Sequence, residues 1–593
     1  MCKLNTFFSS NTLPVFLFVL LGIFLGSCSK QKYDFTYDNQ PETFRKSPVR
    51  LINFALYQQV YHEGMPLTNS FSDGKPTPYF VENGLLGRTW DVPAFLFDAN
   101  GETEIKLSEI YRVTPSIPTS QYTLTLNMKS QDGAVDYYTL WPQGSGQAPA
   151  VAIPRATERP SQPDHIKIRL VNLSKAMRAV PAEGSSGPLE NVHGPISLTY
   201  ADGTPVDPQT SDLSPEDQYS AYIEIPYGTY QFKVLTQDGR QIAASVHGRN
   251  EDTYLSRLMD PASSRMLIPD GTGRVTQLTY APLQTYQPGG VYSIVVAPFP
   301  FEYRPSTYFE GAYQNQFKII EDMPAPANTS FAKVQGVHAF PGEQVHFQIN
   351  GKKVGSLLDF GTASPYQIVK AGDNYSIKAM NAQGKELASL EYPIQAGQNH
   401  SVWLWKDASG NPQLISVSND LSTEFFVPRF EDNGSRNRYE NTMTLSTRFL
   451  NLSPDVPYLS FTINDGQDMD DYMQLYDPAK GHIQAHSEDA LYNLEPGEVV
   501  ESFPYLRWRV DHGFAFKWLA YRSKPGVIPG VWADDIPAFT SNQLVTNTDL
   551  YTPFGRNVPA SEPGIYTLAL IGSTQADAPV GQEARIVAIK HNQ

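Results

Sequence analysis

Four stretches of this chain carry one strand pattern, and that repetition constrains the fold more than any other feature of the sequence. They are Val49-Arg50-Leu51-Ile52-Asn53-Phe54, Ile168-Arg169-Leu170-Val171-Asn172-Leu173-Ser174, Ala332-Lys333-Val334-Gln335-Gly336-Val337-His338 and Thr447-Arg448-Phe449-Leu450-Asn451-Leu452-Ser453. Each alternates a basic or polar residue with apolar ones, and most end on a small turn-forming residue. That is the pattern of a half-buried strand running into a turn. A second strand follows in three copies: Ile196, Leu198 and Tyr200 before Asp202-Gly203, Val345, Phe347 and Ile349 before Asn350-Gly351, and Leu459, Phe461 and Ile463 before Asn464-Asp465-Gly466. Period-two apolar residues ending at such pairs predict hairpins, because Asn, Asp and Gly accept the positive φ of a type I′ turn.

A third element recurs at residues 120–126, 227–234 and 371–378, with a Gln-containing turn at 131–133, 237–239 and 383–384. Closing strands begin at Tyr138, Tyr292, His400 and Tyr566, and final strands lie at 150–153, 317–320, 414–417 and 586–589. Long amphipathic helical stretches are absent from the pattern. The expected fold is all-β: four tandem Ig-like β-sandwich domains at 49–157, 166–322, 331–420 and 446–592, the second and fourth carrying insertions. Length agrees, since 593 residues at about 100–200 per domain allow roughly three to five domains.

The opening motif and hairpin resemble the family called domain of unknown function 4397. The resemblance is best at Thr447-Arg448-Phe449-Leu450-Asn451-Leu452-Ser453-Pro454-Asp455. It is equally clear from Val334 to Asp420, including Phe360-Gly361-Thr362-Ala363-Ser364-Pro365-Tyr366. The first and second copies depart more. The resemblance implies tandem domains of this kind in a bacterial (Bacteroidetes-type) lipoprotein, and it implies no activity.

Residues 1–27 read as a signal peptide: Lys3 supplies a small positive region and residues 13–24 form an apolar run, too short for the ~20 residues of a membrane span. Leu25-Gly26-Ser27-Cys28 looks like a bacterial lipobox, which makes Cys28 the lipid attachment site and residues 28–48 a tether. An ordinary cleavage site would leave Cys28 incidental. Ser29 after the Cys points to the outer membrane of the cell envelope, and the facing leaflet stays open. The partner implied is therefore the membrane, through acyl chains on Cys28.

Composition excludes several functions. A net charge of −16 argues against duplex nucleic acid, and two Cys cannot build a disulfide framework or a thiolate zinc site. At 12% aromatic and 18% charged, the chain is not a disordered one. No hydrolase elbow, metalloprotease helix, phosphate loop or dinucleotide fingerprint occurs, so no catalytic residue and no cofactor is assigned. His482 and His486 with Glu488 and Asp489 form the densest candidate metal cluster, but they follow Gly481 in a loop-like context and read as a solvated insertion. Asp98 to Gly101 imitates part of a calcium loop, yet Thr103 stands where Gly is required, so a turn is expected. Asp465, Asp468, Asp470 and Asp471 read as solvated carboxylates. No metal is assigned.

Aromatic residues say more. Trp508 alternates with Leu506 and Val510 and is expected in a core. If Val402 and Leu404 face inward, as the aligned Leu568, Leu570, Ile294 and Val296 suggest, then Trp403 and Trp405 both point outward. Such a pair is an apolar platform that needs a partner: a neighbouring domain, a glycan or another protein. The expected function is a membrane-anchored extracytoplasmic lipoprotein that binds or builds structure at the cell envelope without catalysis, its domains strung out from the membrane. Alternatives are a glycan-binding accessory of a nutrient uptake system, or a glycoside-acting hydrolase hidden in residues 238–286 or 468–504.

Overall fold

The computed structural model describes residues 44–593 apart from 70–73, 109–122, 142–149, 177–191, 245–257, 261–264, 268–274, 279–282, 304–309, 422–443, 467–489, 510–514, 552–557 and some shorter gaps. The described residues are almost entirely strands, turns and short 3-10 turns, arranged as several β-sandwiches.

One sheet plan occurs four times. An opening strand lies at the centre, antiparallel to one neighbour and parallel to a closing strand, which pairs antiparallel with a final strand. In chain order the opening strands are Lys46–Asn53, His165–Asn172, Phe331–Ala339 and Thr444–Asn451. Their parallel partners are Val135–Thr139, Val291–Tyr303, Asn399–Lys406 and Gly564–Ile571. The final strands are Ala150–Pro154, Glu310–Met323, Pro412–Ser418 and Arg585–Lys590. We call these the inner sheets. A second, outer sheet faces the first, third and fourth of them, and two two-stranded sheets, Ile196–Thr199 with Lys233–Thr236 and Gly228–Tyr230 with Gln284–Tyr286, face the second. In the third copy the outer sheet runs Lys352–Leu358, Val345–Ile349, Gly372–Asn381, Glu386–Ile394, and its first hairpin turns at Asn350 and Gly351, both with positive φ.

Each opening strand ends on a buried polar side chain that closes the sandwich. Asn172 donates both amide hydrogens, to the carbonyls of Gly194 (2.9 Å) and Leu213 (2.8 Å), and accepts from Ser174 N–H. Asn451 does the same with Val456, Leu494 and Ser453. Asn53 donates to the carbonyls of Tyr57 and Gly87 and accepts from Tyr57 N–H. In the third copy His338 takes this place, with Nε2 at 2.8 Å from the Glu343 carbonyl. These bonds hold the chain where it leaves the strand, so buried backbone groups there keep partners. The third copy also has Gly336 where the others have Leu or Phe, because a Cβ there would lie 2.0 Å from the Phe347 ring.

Alternation along the opening strands feeds two cores. Val49 and Leu51 fill the first sandwich, while Ala332 and Val334 fill the third. The residues on the opposite face do not reach water either. Ile52 and Phe54 meet Tyr138, Ile153, Val171, Leu173, Val295 and Phe299, so the first and second inner sheets pack back to back. The third and fourth do likewise through Val337, Ala339, Val417, Leu450, Leu452, Ala569, Ile571 and Ile589. The second and fourth sandwiches then share one continuous cluster, from Ile168 and Ile294 to Phe449 and Trp518. The copies are therefore packed against one another, not strung out.

Buried polar seams accompany these contacts. Arg50 Nη2 donates to Asp136 (2.6 Å) and, across the seam, to Asp322 (2.8 Å), which also accepts from Tyr222 and Ser293 hydroxyls. Arg169 stacks on Tyr222 at 4.5 Å and donates to the Pro154 carbonyl. Lys233 Nζ donates to Glu562 (3.0 Å), joining the second copy to the fourth, with 2% and 0% of the two side chains exposed. Burial alone would raise the Glu562 pKa, but the charges of Lys233 and Lys590 and hydrogen bonds from Tyr551 and Thr546 N–H hold it below its ordinary value. Gln231 N–H donates to the Gln593 carbonyl and Gln593 N–H to Thr229, so the last residues add to the second copy. Lys333 lies between the Tyr227 and Tyr366 rings (5.4 and 5.3 Å), and burial lowers its pKa to about 8.

A charge left alone in such a seam is costly. Lys233→Met or Glu562→Gln singly should lower stability by about 3–5 kcal/mol, read as the shift of a urea unfolding midpoint at pH 7, whereas the pair replaced together by apolar residues should recover most of it. Single variants with unchanged midpoints would contradict this.

Histidines add a pH dependence. Burial, reinforced by the nearby Arg448 charge, pushes His591 down to about 3, and burial pushes His400 down to about 4. The unfolded chain protonates these rings near 6.5 while the folded chain does not, so stability is complete above about pH 6.5 and falls as pH drops toward the folded values. The loss should be about 2 kcal/mol per histidine at pH 5. Unfolding midpoints measured from pH 7.5 to 4 check the slope, and His591→Gln should flatten it.

Candidate functional site

The two tryptophans proposed as an outward pair do face away from Val402 and Leu404, which lie in the third core. Neither is a surface platform. Trp403 is 0% and Trp405 7% exposed, because the fourth copy covers them with Leu450, Leu452, Ala569, Ile571 and Ile589. A neighbouring domain is the partner that this face requires. The fit is close at Gly497, where φ is +78° and an added Cβ would lie 2.3 Å from the Trp405 indole. Trp403→Ala and Trp405→Ala should each lower stability by about 3–5 kcal/mol, since the cavity left in a packed seam adds to the lost burial. Thermal unfolding checks this, and variants that melt like the parent would contradict it.

Polar residues flank the same seam. Arg448 stacks on Tyr505 at 4.7 Å and donates to the Ser418 carbonyl (2.6 Å). His591 lies 2.8 Å from the Thr567 hydroxyl and 3.1 Å from the Tyr366 hydroxyl, which accepts from Asn419. With its ring held neutral, His591 could in principle move a proton, but its side chain is buried at 2% exposure and its neighbours are structural hydroxyls. The arrangement ties the sheets together across the seam.

Other candidates resolve individually. Asp98 caps a turn, its Oδ1 accepting from Asn100 N–H (2.9 Å) and Glu102 N–H (2.8 Å). Asp407 caps a turn in the same way with Ser409 and Asn411. Cys28, Asp465, Asp468, Asp470, Asp471, His482, His486, Glu488 and Asp489 lie outside the described residues, as does the side chain of Trp508. Among the described residues no group of three His, Cys, Asp or Glu is placed to hold a metal ion, and no helix is long and apolar enough to cross a membrane.

The exposed surface that sequence reasoning missed is an edge strand of the fourth copy. Val527–Trp532 pairs on one side with Lys517–Lys524, in the register Tyr521 to Trp532, Arg522 to Val531 and Lys524 to Val527. The outer sheet runs Leu459–Ile463, Lys517–Lys524, Val527–Trp532, so this strand stands at its end. Val527, Ile528, Val531 and Trp532 are 52%, 49%, 70% and 56% exposed. Beside them Arg522 grips Asp535 through two hydrogen bonds of 2.6 and 2.5 Å, and those bonds hold the Asp535 pKa below its ordinary value. Pro529 and Gly530 inside an apolar run were the available signal, because a proline in a strand confines it to an edge.

A family model described as domain of unknown function (DUF4397) matches residues 332–424. That span holds the opening, closing and final strands of the third inner sheet and the Trp403–Trp405 pair. No curated protein matches the chain.

Proposed function

We propose that this chain is a lipid-anchored protein of the bacterial cell envelope, in which four diverged copies of one domain form a rigid body that binds a partner without catalysis. The lipobox-like segment before Cys28 supports the anchor, and Ser29 after it supports an outer-membrane address. The match to the third copy, together with one strand order in all four inner sheets, supports copies of one domain at 49–157, 166–322, 331–420 and 446–592.

The observation that carries the binding role is the edge strand Val527–Trp532. Among the described residues this strand pairs on one side alone, so it presents backbone groups free to pair together with four large apolar side chains. Another envelope protein adding a strand here would gain main-chain hydrogen bonds and bury Val531 and Trp532. A glycan is the second reading, favoured by the exposed Trp532 ring at this edge. Pull-down from solubilised membranes run beside a glycan array separates them. Val531→Ser with Trp532→Ser should abolish capture and leave the melting temperature within about 2 °C, as expected for exposed positions. A glycan hit lost in the same variant favours nutrient capture, and capture unaffected by the variant would contradict the assignment of this edge.

A further inference from the structure

A second apolar cluster, half-exposed and resting on the first core through Tyr79, lies at the start of the described residues. Phe44 stacks on Tyr79 (centroids 5.2 Å) and contacts Phe95 (4.9 Å), and Tyr79 and Phe95 lie 6.1 Å apart. The three rings come from separate segments. Arg45, next to Phe44, accepts at its carbonyl from Ala94 N–H, and this bond clamps the entering chain to the 3-10 turn Ala94–Leu96. That turn buries Leu96 and turns Phe95 outward, 53% exposed despite its two ring contacts. Val81, two residues beyond Tyr79, is 47% exposed.

Arg45 and Lys46 follow Phe44 directly, and the segments that carry Tyr79 and Phe95 add Lys75, Glu82, Arg88, Asp91 and Asp98. Lys46 pairs with Asp91 at 2.5 Å. Aromatic rings rimmed by Lys and Arg match the interfacial layer of a bilayer, where amphipathic rings sit at headgroup depth and basic side chains meet anionic lipid.

The covalent path fixes what such a face meets. Phe44 is sixteen residues on from Cys28, so the chain between them reaches at most roughly 55 Å when fully extended. Phe44, where the described residues begin, is itself a member of the cluster. An anchored chain thus holds this face, more than any other, at high effective concentration over the membrane.

We infer that the Phe44–Tyr79–Phe95 cluster is the face that rests on the lipid bilayer, with the headgroup layer as its partner; this rests on the lipid-anchor reading proposed above. Contact at this face would set the orientation of the body and carry the Val527–Trp532 edge in a fixed direction.

The test uses the full lipid-modified chain in phosphatidylethanolamine–phosphatidylglycerol vesicles. Lipidation of Cys28 and removal of Cys2 leave a new cysteine as the sole free thiol. A spin label at Val81→Cys is compared with one at Val580→Cys, a position 97% exposed in the fourth copy. The label at 81 should show several-fold lower collision with an aqueous nickel complex, relative to oxygen, than the label at 580. Adding Tyr79→Ser and Phe95→Ser should bring it to the level at 580. Equal accessibility at the two sites would overturn the inference. Detergent-phase partitioning of the same sample reads the anchor separately. A sample that partitions with equal accessibilities fails the inference alone, and one that does not partition fails the anchor reading and this inference with it.

Discussion

The structure depends on the fact that its inner sheets are apolar on both faces. A sheet with Leu51 inward and Ile52 and Phe54 on the other face cannot leave the second face in water. The solution adopted twice is another sheet of the same plan, back to back. That arrangement brings together the first and second copies, then the third and fourth, and their partner cores merge between the second and fourth. Domains joined in this way lose the independence of beads on a chain, because each depends on a neighbour to cover its sheet.

The polar residues on the covered faces follow from that constraint. Arg50, Arg169 and Arg448 occupy equivalent places in three opening strands and are 7%, 2% and 5% exposed, with Gln335 the counterpart in the third. They find two arrangements: carboxylates for Arg50, and a tyrosine ring with a backbone carbonyl for both Arg169 and Arg448. Buried guanidinium groups tolerate such sites because their planar fork can bond and stack together. Because a buried charge stripped of its partner is costly, these groups need the partners that the facing sheet supplies.

Much of the fold was legible in the sequence. Period-two alternation located the opening strands, the Asn350-Gly351 turn located a hairpin, and aligning the closing strands placed Val402 and Leu404 inward with Trp403 and Trp405 opposite. What alternation does not encode is the identity of the cover. A polar residue every second position, such as Arg50 or Arg448, reads as a solvated face, and only the three-dimensional partner turns that face into an interior. For the same reason the Trp pair was legible as needing a partner, while Leu452 and Ile571 as that partner lay far along the chain. The exposed edge at Val527–Trp532 was hidden by the opposite ambiguity, since an apolar run signals burial unless Pro529 is weighed against it. The ring cluster of Phe44, Tyr79 and Phe95 depends on three separated segments, and no local pattern announces it.

The back-to-back packing is tested most directly by a double-mutant cycle across the first seam, with Arg50→Met and Asp322→Asn made singly and together. These groups belong to different copies and meet at 2.8 Å. Their unfolding free energies should be non-additive, with a coupling of at least about 1 kcal/mol, as for residues in direct contact. Additive effects within about 0.3–0.5 kcal/mol, the behaviour of distant sites, would contradict the packing of the first inner sheet against the second.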